Sequence, residues 1–327
     1  MRKIAGRMHI KIFFNRAMAM KKGNLKNKTM VLRRTINAPP QKVFRAFTDA
    51  KQLIKWWGPD DFENSECEVN LKVGGKIRIV MRGALGLNMP EQDFPMEGVF
   101  KEIKPSRRIS FMSYAFFPGS DEPKIDALQT IDFEKEGKNT KLALRADVRR
   151  VDPSAKMAVA GMEAGWSQSL EKLDMLVGNY SDRHMTFKRV LDAPVSRVWK
   201  AFVDPKQVVK WWGPNGFTNT IKKMDVQKGG EWRMVMHGPD GADYLNHSTF
   251  YEVTENQRIA YIHTPEDEKS PSHFIWMLTF APFMGKTMLS MRLVFKYPAL
   301  KDMSIKKYNA LEGGNQTLDR LEKFLKK

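Results

Sequence analysis

At 327 residues, with 42% hydrophobic and 11% aromatic side chains, the chain has the length and composition of about two ordinary globular domains. A single cysteine, Cys67, excludes an intramolecular disulfide framework and a CxxC-type zinc site and suits a reducing cytoplasm, and no apolar run approaches the roughly 18–20 residues that a membrane span needs. The net charge of +18 reads as a basic, soluble surface and implies no specific nucleic-acid partner.

The first 28 residues carry nine basic side chains and no acid. Their apolar stretch, residues 10–14, is interrupted by Lys11 and followed by Arg16, which is too short and too charged for a secretory segment. The expectation is a basic arm, disordered as termini without core contacts are. Residues 29–36 alternate as a strand does. Asn37-Ala38-Pro39 ends that strand and starts a short helix whose Val43, Phe44 and Phe47 form one apolar stripe. Asp49 caps a second short helix, which carries Leu53, Ile54 and the pair Trp56-Trp57 and stops at Gly58-Pro59.

Strands follow over residues 63–71 and then, after a turn at Gly74-Gly75, where Ile77, Ile79 and Met81 alternate with Lys76, Arg78 and Val80. That period of two marks a half-buried antiparallel strand. Residues 99–103 and 108–111 read as one hairpin, and 125–133 with 141–148 as another. Asp152-Pro153 then opens a long helix on which Met162, Trp166, Leu170, Leu173 and Val177 keep helical spacing.

The whole order recurs. Trp56-Trp57-Gly58-Pro59 returns as Trp211-Trp212-Gly213-Pro214, 155 residues later, and Ala38-Pro39 and Gly74-Gly75 return as Ala193-Pro194 and Gly229-Gly230 at the same spacing. A period that long signals a duplicated domain, not a solenoid. It sets residues 29–179 and 183–327 as tandem copies of one α+β domain.

Each copy thus reads as a strand, two short helices, about six antiparallel strands and a long C-terminal helix. With Ala38 to Phe47, Trp56 to Pro59, Gly74 to Arg78 and Glu163 to Gly165, and their partners Ala193 to Phe202, Trp211 to Pro214, Gly229 to Arg233 and Glu312 to Gly314, this order resembles the helix-grip (START-like) fold. Within it, the chain is similar to the family named for the activator of heat-shock-protein-90 ATPase. The resemblance implies a curved antiparallel sheet wrapped around the long helix, with an apolar cavity between them that binds a small hydrophobic or amphipathic molecule without catalysis. It also leaves two alternatives: a co-chaperone or protein-interaction module with a chaperone as partner, and a cyclase-like or hydrolase-like enzyme.

The candidate cavity residues are Ile77, Ile79, Met81, Met162 and Trp166 in the first copy and Trp232, Met234, Met236, Leu311 and Asn315 in the second. Asn315 is expected opposite Trp166. An amide in place of an indole implies that the second copy keeps the more open cavity, since a buried amide needs a partner. His247 and His263 stand on neighbouring strands where the first copy has Glu97 and Ser113, and would bring imidazole chemistry to the cavity if both faced inward. With no HExxH or His-x-x-x-His spacing and no readable Ser-His-Asp or Cys-His set, neither a catalytic residue nor a metal or cofactor is assigned. The Trp pairs read as anchors of the short helices, and Arg78 and Arg233 as partners in salt bridges on the sheet exterior.

Overall fold

β1 (Thr29–Ile36) buries every second residue, as an edge strand with one apolar face must. It leads into α1 (Pro40–Thr48), with proline at its first positions, and α2 (Ala50–Leu53), where the Asp49 carboxylate accepts from the Lys51 N–H. Six strands follow: β2 (Glu63–Val69), β3 (Lys76–Gly83), β4 (Gln92–Lys104), β5 (Arg108–Ala115), β6 (Ile125–Glu136) and β7 (Asn139–Val151). A 3-10 turn (Pro153–Ala155) then opens α3 (Lys156–Gly178). The computed structural model that shows this describes residues 28–84, 90–180, 182–264 and 274–326, so the expected basic arm over residues 1–28 lies outside the described residues except for Lys28.

The second unit repeats the order: β8 (His184–Leu191), α4 (Val195–Val203), α5 (Pro205–Val208), β9 (Thr218–Met224), β10 (Glu231–His237), β11 (Asp243–Thr254), β12 (Arg258–Thr264), β13 (Phe274–Phe283) and β14 (Lys286–Phe295). The described residues form two compact units, the first ending at Asn179 and the second beginning at Tyr180. Each unit has one seven-stranded antiparallel sheet, ordered β1-β7-β6-β5-β4-β3-β2 and β8-β14-β13-β12-β11-β10-β9. Register shifts at Phe100/Glu102 and at Phe250/Glu252 place the same bulge in both sheets, and bulges bend a sheet. The concave face holds the core of each unit.

The C-terminal helices differ. In the first unit α3 is continuous. In the second, α6 (Pro298–Tyr308) and α7 (Ala310–Leu325) are separated at Asn309, which adopts the left-handed conformation at φ 47°, ψ 42°. Asparagine tolerates that region better than other side chains except glycine. The apolar stripe of the sequence therefore continues through Leu318 and Leu321, which are buried, but α6 buries no residue fully.

Candidate functional site

Both long helices dock through the same polar contacts. The helix turns ending at Trp57 and Trp212 leave backbone carbonyls without an intrahelical partner. Lys172 donates to Trp57 O at 3.4 Å and Pro59 O at 3.1 Å; Arg320 donates to Gly213 O at 2.9 Å and Pro214 O at 2.6 Å. Gln168 Oε1 accepts from Asp60 N as Gln316 Oε1 does from Asn215 N, and Ser169 and Thr317 each bond the carbonyl four residues back, at Gly165 and Gly313. The indoles Trp56 and Trp211, both fully buried, donate to Ala46 O and Ala201 O.

These twin contacts fix the register of the helices one residue away from the Glu-Ala-Gly and Glu-Gly-Gly alignment. Gly165 matches Gly313, each against its proline, Pro59 or Pro214. Gly314, not Asn315, therefore stands where Trp166 does, and Ala310, not Leu311, where Met162 does. Asn315 is exposed and bonds back to Leu311 O at 3.0 Å, and Leu311 is 44% exposed in the first turn of α7. Neither faces the cavity. Trp166 packs edge-on against Trp57 at 4.7 Å. In the second unit, a Cβ on Gly314 would come within 2.3 Å of the Phe187 ring. Phe187 occupies the β8 position that Leu32 holds in β1. The large residue has changed sides, from helix to strand.

The strand candidates separate by parity. Ile77 and Ile79 are buried inward, with Met81 and Met162 partly buried against the same core. Trp232 and Met234 are buried inward, with Met236 partly buried beside them. His247 faces the other side of the sheet, where Nε2 lies 3.2 Å from Glu231 Oε1. It pairs across from Arg233, which itself bonds Glu231 at 3.3 Å. The same exterior place in the first unit holds Arg78 between Glu66 and Glu97. The two histidines therefore do not converge: strand parity puts Ser248 and Asn246 inward from β11 and turns His247 out.

His263 does face inward. It lines a cavity of about 30 Å³ in the second unit, close to the share of liquid volume of one water molecule. β10 supplies Trp232 and Met234, β11 Asn246 and Ser248, β12 Tyr261 and His263, and β13 Phe274 and Trp276, with Trp212 from the turn after α5. The His263 and Phe274 rings stack at 4.4 Å and 11°. Trp212 meets Trp232 and Trp276 edge-on, and Trp232 meets Tyr261 in the same way. Asn246, Phe274 and Trp276 remain partly exposed and form the open side.

Two polar atoms in this wall lack a hydrogen-bond partner. Trp232 Nε1 and Tyr261 Oη are both buried, on side chains 6% and 2% exposed. Burial drives the Tyr261 hydroxyl well above the ordinary phenol range, so it stays protonated. Leaving such groups unpaired costs about 1–3 kcal/mol each. Sequence reasoning missed Tyr261, although alternation within β12 gives it the same parity as His263. The signal was present, since Tyr261 stands where the first copy has Phe111.

The corresponding place in the first unit has other side chains. Gly98 stands for Ser248, and a Cβ on it would lie 2.7 Å from both the Ile77 side chain and Met112 O. Ser113 and Gln129 stand for His263 and Trp276; Gln129 donates to Ser113 Oγ at 3.2 Å, which donates to Ala127 O at 3.0 Å.

His237, also passed over, forms a carboxylate–imidazole–hydroxyl chain: Nδ1 is 2.6 Å from Asp243 Oδ1 and Nε2 is 2.9 Å from Thr220 Oγ1. It lies on the outer face, opposite the cavity. Among the described residues no group of three His, Cys, Asp or Glu could hold a metal ion, and no helix is long and apolar enough to cross a membrane.

Single-copy solved structures align over about half of the chain: CV1439 from Chromobacterium violaceum at 26% identity, covering 44% of this chain and 98% of that one with a TM-score of 0.40, and NE0264 from Nitrosomonas europaea at 24%, covering 45% and 96% with a TM-score of 0.40. No curated protein matches the chain. The family described as activator of Hsp90 ATPase homolog 1-like protein matches twice, over residues 37–178 and 192–326. The chain, a tandem pair of helix-grip domains, belongs to that family.

Proposed function

We propose that the protein binds a small amphipathic molecule, without transforming it, in the helix-grip cavity of its second domain. The observation that carries this reading is the pair of partnerless buried donors, Trp232 Nε1 and Tyr261 Oη, on one cavity wall. A core selected for packing alone fills such a place with apolar groups, as the first domain does with Ile77 and Phe111. A molecule bringing a polar atom to the two donors recovers their desolvation cost. The aromatic walls supply the apolar contact.

The test is native mass spectrometry of the gently purified full chain, followed by thermal melts with a panel of small amphipathic compounds. An added mass lost on denaturation, or a concentration-dependent rise in Tm, is the expected result. Both should vanish in Ser248→Leu, which fills the cavity. A clean mass with no stabilisation by any compound would sink the reading. Stimulation of a chaperone ATPase by that same Ser248→Leu protein would instead place the activity on the surface.

A further inference from the structure

We infer that the ligand of the second-domain cavity is a neutral, flat aromatic molecule bearing a hydrogen-bond acceptor that contributes no hydrogen of its own. This deepens the cavity reading above and rests on it.

The acceptor follows from the chemistry of the unpaired atoms. An indole N–H can only donate. A phenol can donate or accept; burial keeps the Tyr261 hydroxyl protonated, so it retains a hydrogen to donate. The rings of Trp232 and Tyr261 lie in edge contact at 5.6 Å, and both residues line the same cavity, so both unpaired donors belong to one site. A ligand hydrogen pointed at Trp232 Nε1 would find no lone pair there.

Neutrality follows from the wall. Among the described residues, none of the nine that line the cavity is Asp, Glu, Lys or Arg, so a full charge would meet no opposite partner on these walls and would lose its hydration. Flatness is inferred from the aromatic walls. A cavity of about 30 Å³ is too small for a whole ring system, so only its acceptor-bearing edge enters. The rest of the ring then lies at the open side against Phe274 and Trp276, whose partly exposed faces offer stacking surface.

The first domain provides an internal contrast. Both donors are missing from it, since Ile77 replaces Trp232 and Phe111 replaces Tyr261. Its own unpaired buried atom at this level is of the opposite kind, the acceptor Gln129 Oε1. An acceptor-bearing ligand thus gains nothing there, and the specificity belongs to the second domain.

Three near-isosteric probes test this on the full chain by isothermal titration: naphthalene with no polar atom, quinoline with an acceptor, and indole with a donor. Quinoline should bind about tenfold or more tightly than the other two, the scale of one satisfied buried hydrogen bond. Tyr261→Phe should erase most of that preference while leaving naphthalene affinity and the melting curve in place. Equal binding of naphthalene and quinoline, or a preference for indole, would overturn the acceptor inference and leave the cavity reading standing. Binding of none of the three, with the Ser248→Leu protein equally inert, would bring down both and assign the two donors to an ordered water.

Discussion

The two domains share the sheet and its anchors and differ in the C-terminal helix and in the side chains packed beneath it. The parts that build the fold recur in both copies: the Trp56 and Trp211 bonds to Ala46 and Ala201, the Thr140 and Thr287 bonds to Ala38 and Ala193, and a cation, Lys172 or Arg320, on the carbonyls after the Trp pair. Under the long helix the copies part. Gly98, Phe111 and Ser113 hold these positions in the first domain, where a methyl group on Gly98 would not fit, while Ser248, Tyr261 and His263 line a cavity in the second. Duplication leaves one copy free to diverge while the other keeps its packing, and the divergence here lies in side chains that leave the strand register intact.

The scaffold half of this comparison makes the strongest prediction. Trp56→Ala and Trp211→Ala should each cost about 3–5 kcal/mol, the range for truncating a fully buried aromatic, as read from urea unfolding of the full chain. A large inequality between them would break the equivalence of the anchors. Next in size is the exchange of bulk between helix and strand. Gly314→Ala pushes against the Phe187 ring and should destabilise by about 1–3 kcal/mol. Adding Phe187→Leu, which restores the Leu32 arrangement, should recover part of that loss in a double-mutant cycle; strict additivity would refute the exchange. The cavity half gives an asymmetric pair. Phe111→Tyr should cost about 1–3 kcal/mol, because it buries a hydroxyl where Gly98 already lacks room for a methyl group. Tyr261→Phe should leave ligand-free stability unchanged or slightly raised, since the hydroxyl it removes has no partner.

Much of this was legible in the sequence, and the reasons show where legibility stops. The Trp-Trp-Gly-Pro repeat located both domains because its spacing is a property of the chain alone. The inward rows at Ile77 and Trp232 were legible because alternation in one strand needs no neighbour. What failed needed three-dimensional register. Asn315 was placed opposite Trp166 through the shared Glu-Ala-Gly and Glu-Gly-Gly motifs, yet the helix is positioned by Gln168, Ser169 and Lys172, whose equivalents lie one residue closer in the second domain. On a helix one residue is a rotation of about 100°, enough to turn Asn315 from core to solvent. His247 failed in the same way, because a one-residue error in a strand exchanges its faces. The break at Asn309 is a backbone conformation that apolar spacing does not encode.

Smaller effects probe the sheet exteriors and edges. Cys67, found in the first domain alone, has its thiol pushed up to about 11, mainly by burial and then by Asp49 and Glu68. Alkylation should therefore still be accelerating at pH 10, where a free cysteine has already levelled off; a rate–pH curve with its midpoint near pH 8.5 would mean the thiol is open to water.

The least of these effects concerns Glu231, which stands where the first domain has Lys76. Its hydrogen bond from Lys223, and then that from Arg233, hold its carboxyl down at about 2 against an ordinary 4.5. A carboxyl lowered on folding contributes stability above its unfolded value and loses it as pH falls through the folded one. The contribution should therefore be complete above about pH 4.5 and fade toward pH 2. Because the group is exposed, the effect should be small and screened by salt. Glu231→Gln should flatten this part of the acid-unfolding curve at low salt, and Lys76→Gln in the first domain should not. If the two variants changed the acid limb equally, the exterior charge network of the second domain would have no role that the first domain lacks.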